Sequence, residues 1–321
     1  MTAATDLLSP GGAGATFTGT RSAARLFWER FREDKAAMFA ASVIIFLVLV
    51  AVFGGPLAAW VTGHPNTTAY NDRMLDPYGV PKGPNSQFWF GADAAGRDLF
   101  VRTMYGARTS LFVGVVASGI AVAIGLVVGL TAGFFGGWVD TALSRTGDVM
   151  LALPTLLISI GIVAACNSAP NGCLHGLVQQ GLRVVIFVIA FFTWPYIARI
   201  VRGFTLSIRE KEFVEAARAL GASPVRQVVK HILPNALGPV IIAGTIDVAA
   251  AIIAESTLSF LGLGFPPDTP TWGRLLYDAK DFLDIGPHWA LFPGGAIFIA
   301  VVAINFIGDG LRDALDARRV I

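Results

Sequence analysis

The chain has 321 residues, of which 54% are hydrophobic and 14% charged, with a mean hydropathy of +0.64. Soluble domains average roughly 25% charged residues, so this composition excludes a soluble globular protein and points to a polytopic membrane protein. The net charge of +2 is too small for a nucleic-acid binder, and no basic tract with interleaved aromatics is present.

In chain order, residues 1–35 read as a cytosolic N-terminal tail with a short amphipathic helix, carrying Arg21, Arg25, Arg30, Arg32 and Lys35. Near-continuous apolar runs follow at 36–60, 109–135, 143–165, 182–203, 236–262 and 290–311. Each approaches the ~20 residues that cross hydrocarbon, predicting six membrane-spanning helices. The first run exceeds the ~7–15 residue core of a signal peptide and reads as an uncleaved anchor. Residues 61–108 form an extracytoplasmic segment, irregular to about residue 90. Leu99, Phe100, Val101 and Met104 then predict a short interfacial helix. Residues 109–321 form a five-helix core.

Within that core, Gly125, Gly129 and Gly133 stand four residues apart and predict a smooth stripe for close helix packing. Asp140, Arg145 and Asp148 suggest a local ion-pair cluster. Cys166 and Cys173 share a turn-rich exterior loop, where an oxidising environment permits a disulfide; two free thiols are the alternative. Asp247 and Glu255 fall in the fifth span, where a charge costs about 2.5–3.5 kcal/mol at the centre. They must face protein or an aqueous path, which makes them translocation-path candidates. Residues 265–272 form a proline-rich elbow that either caps the bundle or meets a partner.

The longest charged break, from Arg199 to Asn235, predicts a helical hairpin over residues 204–235. Phe213, Ala216, Ala217 and Leu220 recur at helical spacing, and Lys211 and Glu215 sit one turn apart and can pair. Gly221 offers a left-handed helix stop. Ser223 then supplies N-cap chemistry with Pro224 at the first helical position, and Val225, Val228, Val229, Ile232 and Leu233 repeat the apolar spacing. An amphipathic connector lying on the lipid surface would show the same pattern. Sixteen of the 24 Lys and Arg fall on the side of both termini and this hairpin, which the positive-inside rule places in the cytosol.

Elsewhere little catalytic chemistry is recognisable. Gly91, Gly96 and Arg97 lack the Lys and Ser or Thr of a phosphate-cradling loop. The four histidines are scattered, and no metal site is expected.

Glu215, Ala216, Ala217, Gly221, Leu233 and Pro234 at these distances resemble the EAA coupling motif of permease subunits of ATP-binding-cassette (ABC) importers. His231 stands where that motif usually has isoleucine, and the run from His231 to Asn235 resembles the dipeptide and oligopeptide subgroup. Gly91, Asp93, Gly96, Arg97, Asp98, Arg102, Gly106, Arg108 and Ser110, then Asp140, Arg145, Asp148 and Pro154, and Ser259 to Pro266 with Trp272 and Gly273 fit as well. The resemblance covers about residues 20–320, without the cysteine loop.

The resemblance implies an all-α, type I ABC importer permease fold with six transmembrane helices and cytosolic N and C termini. The setting would be a bacterial cytoplasmic (inner) membrane. The chain would form half of a pore for di- or oligopeptides, with nickel complexes or glutathione as alternative cargo. Partners would be a second homologous permease in a heterodimer, two cytosolic ATP-binding subunits or one fused ATPase, an extracytoplasmic peptide-binding lipoprotein and the lipid bilayer. ATP and Mg would be bound by those partners, and this chain would hydrolyse nothing and hold no cofactor. The coupling contacts would come from Glu212, Glu215, Ala216, Ala217, Arg218, Gly221, Ala222, Ser223 and Pro224. A rival of another class is a proton-coupled secondary transporter titrating Asp247 and Glu255.

Overall fold

The computed structural model describes residues 23–315. The outer parts of the tail and C-terminus, including the basic residues Arg21, Arg318 and Arg319, lie outside the described residues.

The described residues are helical, joined by turns and a few isolated β-bridges. Helix α1 (Ala23–Glu33) ends at Asp34, whose extended backbone and side chain cap α2 by accepting from the Ala36 and Ala37 amides at 2.9 and 3.1 Å. Such caps satisfy amides that have no partner within the helix. Helix α2 (Lys35–Thr62) is the first span. Helix α3 (Leu99–Phe135) begins at Asp98, whose side chain accepts from the Val101 amide.

Two expectations change here. The interfacial helix expected near residue 99 is the first part of α3, which runs unbroken for 37 residues. Its charged Arg102 is buried against Asp93 at 3.0 Å rather than solvated, so the helix passes through the point where the apolar run stops. The third span, expected as one segment over 143–165, is instead α4 (Gly137–Ala152) and α5 (Thr155–Ser168), bent by 86°. Pro154 explains the break, because a residue before proline is pushed out of the α region and Leu153 is extended at φ −75°, ψ 143°. The five continuous spans and this bent pair make up to six crossings.

The chain continues through α6 (Leu182–Arg209), α7 (Glu212–Ala219), α8 (Pro224–Phe260), α9 (Trp272–Ala279) and α10 (His288–Leu315). The glycine stripe packs α3 against α6, as expected. A Cβ on Gly125, Gly129 or Gly133 would lie 2.6–2.7 Å from Ile197, the Ala198 carbonyl and Val201, or Thr205. Val113, Ala117 and Ala121 of α3, Val184 and Val188 of α6, and Ala251 and Leu258 of α8 close the core.

Both ends of the described chain meet at one pole. Phe31 and Ala37 pack on Ala314, and Leu315 reaches Gly238. Arg209 donates to the carbonyls of Gly133 and Phe134 at 3.2 and 3.0 Å, so the 210–223 connection lies at that pole too. Segments 63–98, 169–181 and 261–287 gather at the opposite pole, where Asn167 donates to the Leu263 carbonyl.

Candidate functional site

The hairpin forms as expected in outline. Lys211 is extended and its carbonyl accepts from the Val214 and Glu215 amides, starting α7. After α7 the chain reverses at Gly221, whose φ of +79° is costly for a residue with a Cβ. The Gly221 and Ala222 amides bond back to the carbonyls of Arg218 and Ala217. The Ser223 hydroxyl then accepts from the Arg226 amide, with Pro224 at the first position of α8. Gln227, which sequence reasoning passed over, is buried and donates to the Ala222 carbonyl at 2.7 Å, tying the turn to the second helix.

Two details differ from expectation. The second hairpin helix is not separate from the fifth span: it continues through a widened π-type turn at Val228–Ile232 to Phe260 as one helix. That turn lies just before Pro234, whose missing N–H breaks the regular ladder. The buried anchor of α7 is Val214, packed with Ile208, Ile232 and Ala236, and not the Phe213, Ala216, Ala217, Leu220 face. That face points outward. Leu220 is 89% exposed, Val225 is 72% exposed, and Glu212, Glu215, Arg218 and Pro224 surround them on the surface. Ala217 and Ala222 are half-buried. Lys211 and Glu215 are both exposed and do not pair.

A cleft of about 350 Å3 is lined by α3, α4 and α6. Asp140 takes both the Nε and the Nη2 of Arg202, and Asp148 lies 2.6 Å from Arg199. The cluster expected to be local is therefore mainly a bridge between two helices; Arg145 reaches Asp148 only at 4.0 Å. Arg199 and Arg202, one turn apart on α6, were the residues sequence reading did not pair.

The two acids of α8 are enclosed. Glu255 is fully buried and accepts from Ser259 Oγ at 2.7 Å and Ser110 Oγ at 2.9 Å. Ser110 Oγ in turn accepts from the Trp272 amide, so its one proton is committed to Glu255. Asp247 is buried beside the Ser118 region, with Oδ2 unpartnered. Neither acid presents more than a sliver of surface to a path.

At the far pole the proline-rich elbow packs as a cap. The Pro267 carbonyl accepts from Arg102 Nη2 at 2.8 Å and Arg97 Nη1 at 3.3 Å, and Arg97 Nε donates to Asp93 at 2.8 Å. Trp272 is buried and its indole donates to the Thr103 carbonyl. His64 contacts Asp98 at 2.6 Å and stacks on Phe88. Burial pushes the Asp278 carboxyl up, and Arg274 at 3.0 Å opposes that shift. Cys166 and Cys173 are joined in a disulfide.

The profile described as "Binding-protein-dependent transport system inner membrane component" matches residues 125–321, and one described as "N-terminal TM domain of oligopeptide transport permease C" matches residues 22–77. The chain is 41% identical over 292 residues to the "Glutathione transport system permease protein GsiD" of Escherichia coli O6:K15:H31 (strain 536 / UPEC), covering 91% of this chain and 89% of that protein. The protein of the same name from Shigella boydii serotype 4 (strain Sb227) gives the same figures. Among solved structures, two inward-facing forms of the MetNI methionine ABC transporter share the fold. At 23% identity they give TM-scores of 0.53 and 0.55, covering 66% and 68% of this chain and 95% and 97% of theirs. The chain belongs to the family of binding-protein-dependent transport system inner membrane components, as an ABC importer permease of the peptide and oligopeptide type. It is a multi-pass inner-membrane protein.

Proposed function

We propose that this permease forms half of a pore for short peptides, glutathione included among them, and that the 210–234 hairpin takes its mechanical input from a cytosolic ATPase. The supporting observation is the hairpin itself. It shows an exposed face around Ala216 and Leu220, an anchor at Val214, and direct continuity from Ser223 into a 37-residue spanning helix. A stiff capped element transmits displacement where a loose loop absorbs it.

On this reading both termini face the cytosol and a second homologous permease completes the pore. Two ATP-binding subunits, or one fused one, bind ATP and Mg and hydrolyse the nucleotide. A peptide-binding lipoprotein delivers cargo at the opposite pole. Asp247 and Glu255 act as internal braces, since Glu255 is held by serine hydroxyls and Asp247 is buried. A proton-coupled carrier titrating them draws no support from acids so enclosed.

The test replaces Ala216 with Trp and Gly221 with Pro in the assembled transporter. A bulky ring blocks a close-fitting groove, and proline cannot adopt φ +79°. Both variants should insert normally, lose ATPase copurification or ATP-driven uptake, and leave cargo delivery intact. Normal peptide uptake by both would reject the docking role.

A further inference from the structure

A second cavity lies in the membrane zone between α5, α6 and α8, with a volume of about 260 Å3. None of its lining residues is charged. Leu156, Ile189 and Phe192 supply apolar walls; Ser159, Thr193 and Thr257 bring hydroxyls from three different helices, and Thr155 adds a fourth from the helix of Ser159.

The first three hydroxyls share one property. Each spends its single proton inside its own helix: Ser159 donates to the Thr155 carbonyl at 2.6 Å, Thr193 to Ile189 at 3.0 Å and Thr257 to Ile253 at 2.8 Å. What Ser159, Thr193 and Thr257 leave for the cavity is lone pairs, whereas the Thr155 hydroxyl is not committed in this way. A substrate carbonyl or carboxylate placed against those three meets acceptors facing an acceptor. An amide N–H or an ammonium group finds partners without any rearrangement.

We propose that this groove is a transit subsite for the N–H donors of the substrate, peptide amides and the terminal ammonium, recognised by Ser159, Thr193 and Thr257. The assignment rests on the peptide-permease reading above. It deepens that reading by naming which face of a peptide the pore addresses. Three hydroxyls converging from separate helices make a lipid tail a poor occupant, because hydrocarbon satisfies none of their lone pairs. The absence of charge fits cargo that must leave as readily as it enters.

The test uses the complete transporter with its binding protein and ATPases, reconstituted in vesicles. Uptake of trialanine is compared with that of its ester analogue, in which oxygen replaces one backbone N–H. Because the same binding protein serves every permease variant, its own preference cancels when variants are compared. Each acceptor lost should slow trialanine about five-fold, the worth of one hydrogen bond. The Thr193→Val plus Thr257→Val permease should therefore slow trialanine roughly 25-fold and the ester analogue, already short of one donor, only about five-fold. Thr193→Ser plus Thr257→Ser keeps both oxygens and should restore the preference. Equal slowing of both substrates, or no slowing of either, overturns the subsite. Equal slowing together with loss of the second permease on purification assigns the groove to packing between permeases and also overturns it. Failure of the unaltered transporter to carry trialanine, with ATPase binding intact, rejects the peptide reading itself and is separate from these outcomes.

Discussion

Arg202 grips Asp140 with two nitrogens, Nη2 standing 2.7 Å from Oδ2 while Nε meets Oδ1. The pair joins α6, which leads straight into the hairpin, to α4, which leads into the bent α5. Fork-to-carboxylate geometry of this kind gives direction as well as attraction. Both side chains are partly shielded, so the pair should exceed an exposed ion pair. A double-mutant cycle with Asp140→Asn and Arg202→Gln, read by denaturant unfolding in micelles, should return a coupling of about 1–2 kcal/mol. Arg202→Lys should recover less than half of it. A coupling indistinguishable from zero would mean that the two helices are held by packing alone.

The glycine stripe allows a comparison inside one helix. Gly129→Ala puts a methyl 2.6 Å from the Ala198 carbonyl and Val201 Cβ, neither of which can step aside cheaply. Overpacking of this kind costs about 1–3 kcal/mol. Gly119→Ala on the same helix meets nothing within 4 Å and should be neutral or slightly stabilising. Thermal midpoints of the two purified variants should separate clearly; coincident midpoints would contradict the packing described.

Closing an eight-residue loop, the bond between Cys166 and Cys173 removes about 2–3 kcal/mol of chain entropy from the unfolded state. A maleimide reagent applied without reductant should label neither cysteine, and both after reduction. The Cys166→Ser plus Cys173→Ser variant should unfold at a lower temperature while retaining ATPase copurification, since the hairpin proposed to dock the ATPase lies at the other pole.

Glu255 is the shared acceptor for hydroxyls from α3 and from its own helix. Glu255→Leu strands those hydroxyls in a buried setting, at a cost of about 2–4 kcal/mol. Ser110→Ala takes the acceptor from the Trp272 amide and one donor from Glu255, and should cost about 1–3 kcal/mol. The damage should appear first as faster proteolysis of the 261–287 segment, because that segment is hooked to α3 through Trp272. Unchanged cleavage in Glu255→Leu would show that the hook carries no strain.

The features legible in the sequence were those with local causes. Gly221, Ser223 and Pro224 announce a turn and a cap by their own chemistry, and the glycine stripe announces a close contact by spacing alone. The features hidden from it depend on partners far along the chain. Arg102 looks like the end of an apolar run until Asp93 and the Pro267 carbonyl are seen to satisfy its guanidinium. Val214 rather than Phe213 seats α7, because Ile208 and Ile232 decide which side of a two-turn helix faces inward. Asp140 and Asp148 seemed to belong with neighbouring Arg145, since proximity in sequence is visible and the approach of α6 is not. The kink at Pro154 had a local signal, but continuous hydrophobicity on both sides masked it.

The merging of the hairpin with the fifth span has a mechanical corollary. From Pro224 to Phe260 the helix measures about 55 Å at 1.5 Å per residue, and Glu255, near its far tip, is fastened to the outer cap. With that tip as fulcrum, a tilt of only about 5° sweeps the inner end through an arc of roughly 5 Å, the rise of one helical turn. A small swing imposed at Leu220 thus becomes a graded shear along the whole span, largest at the hairpin end and vanishing at the opposite rim.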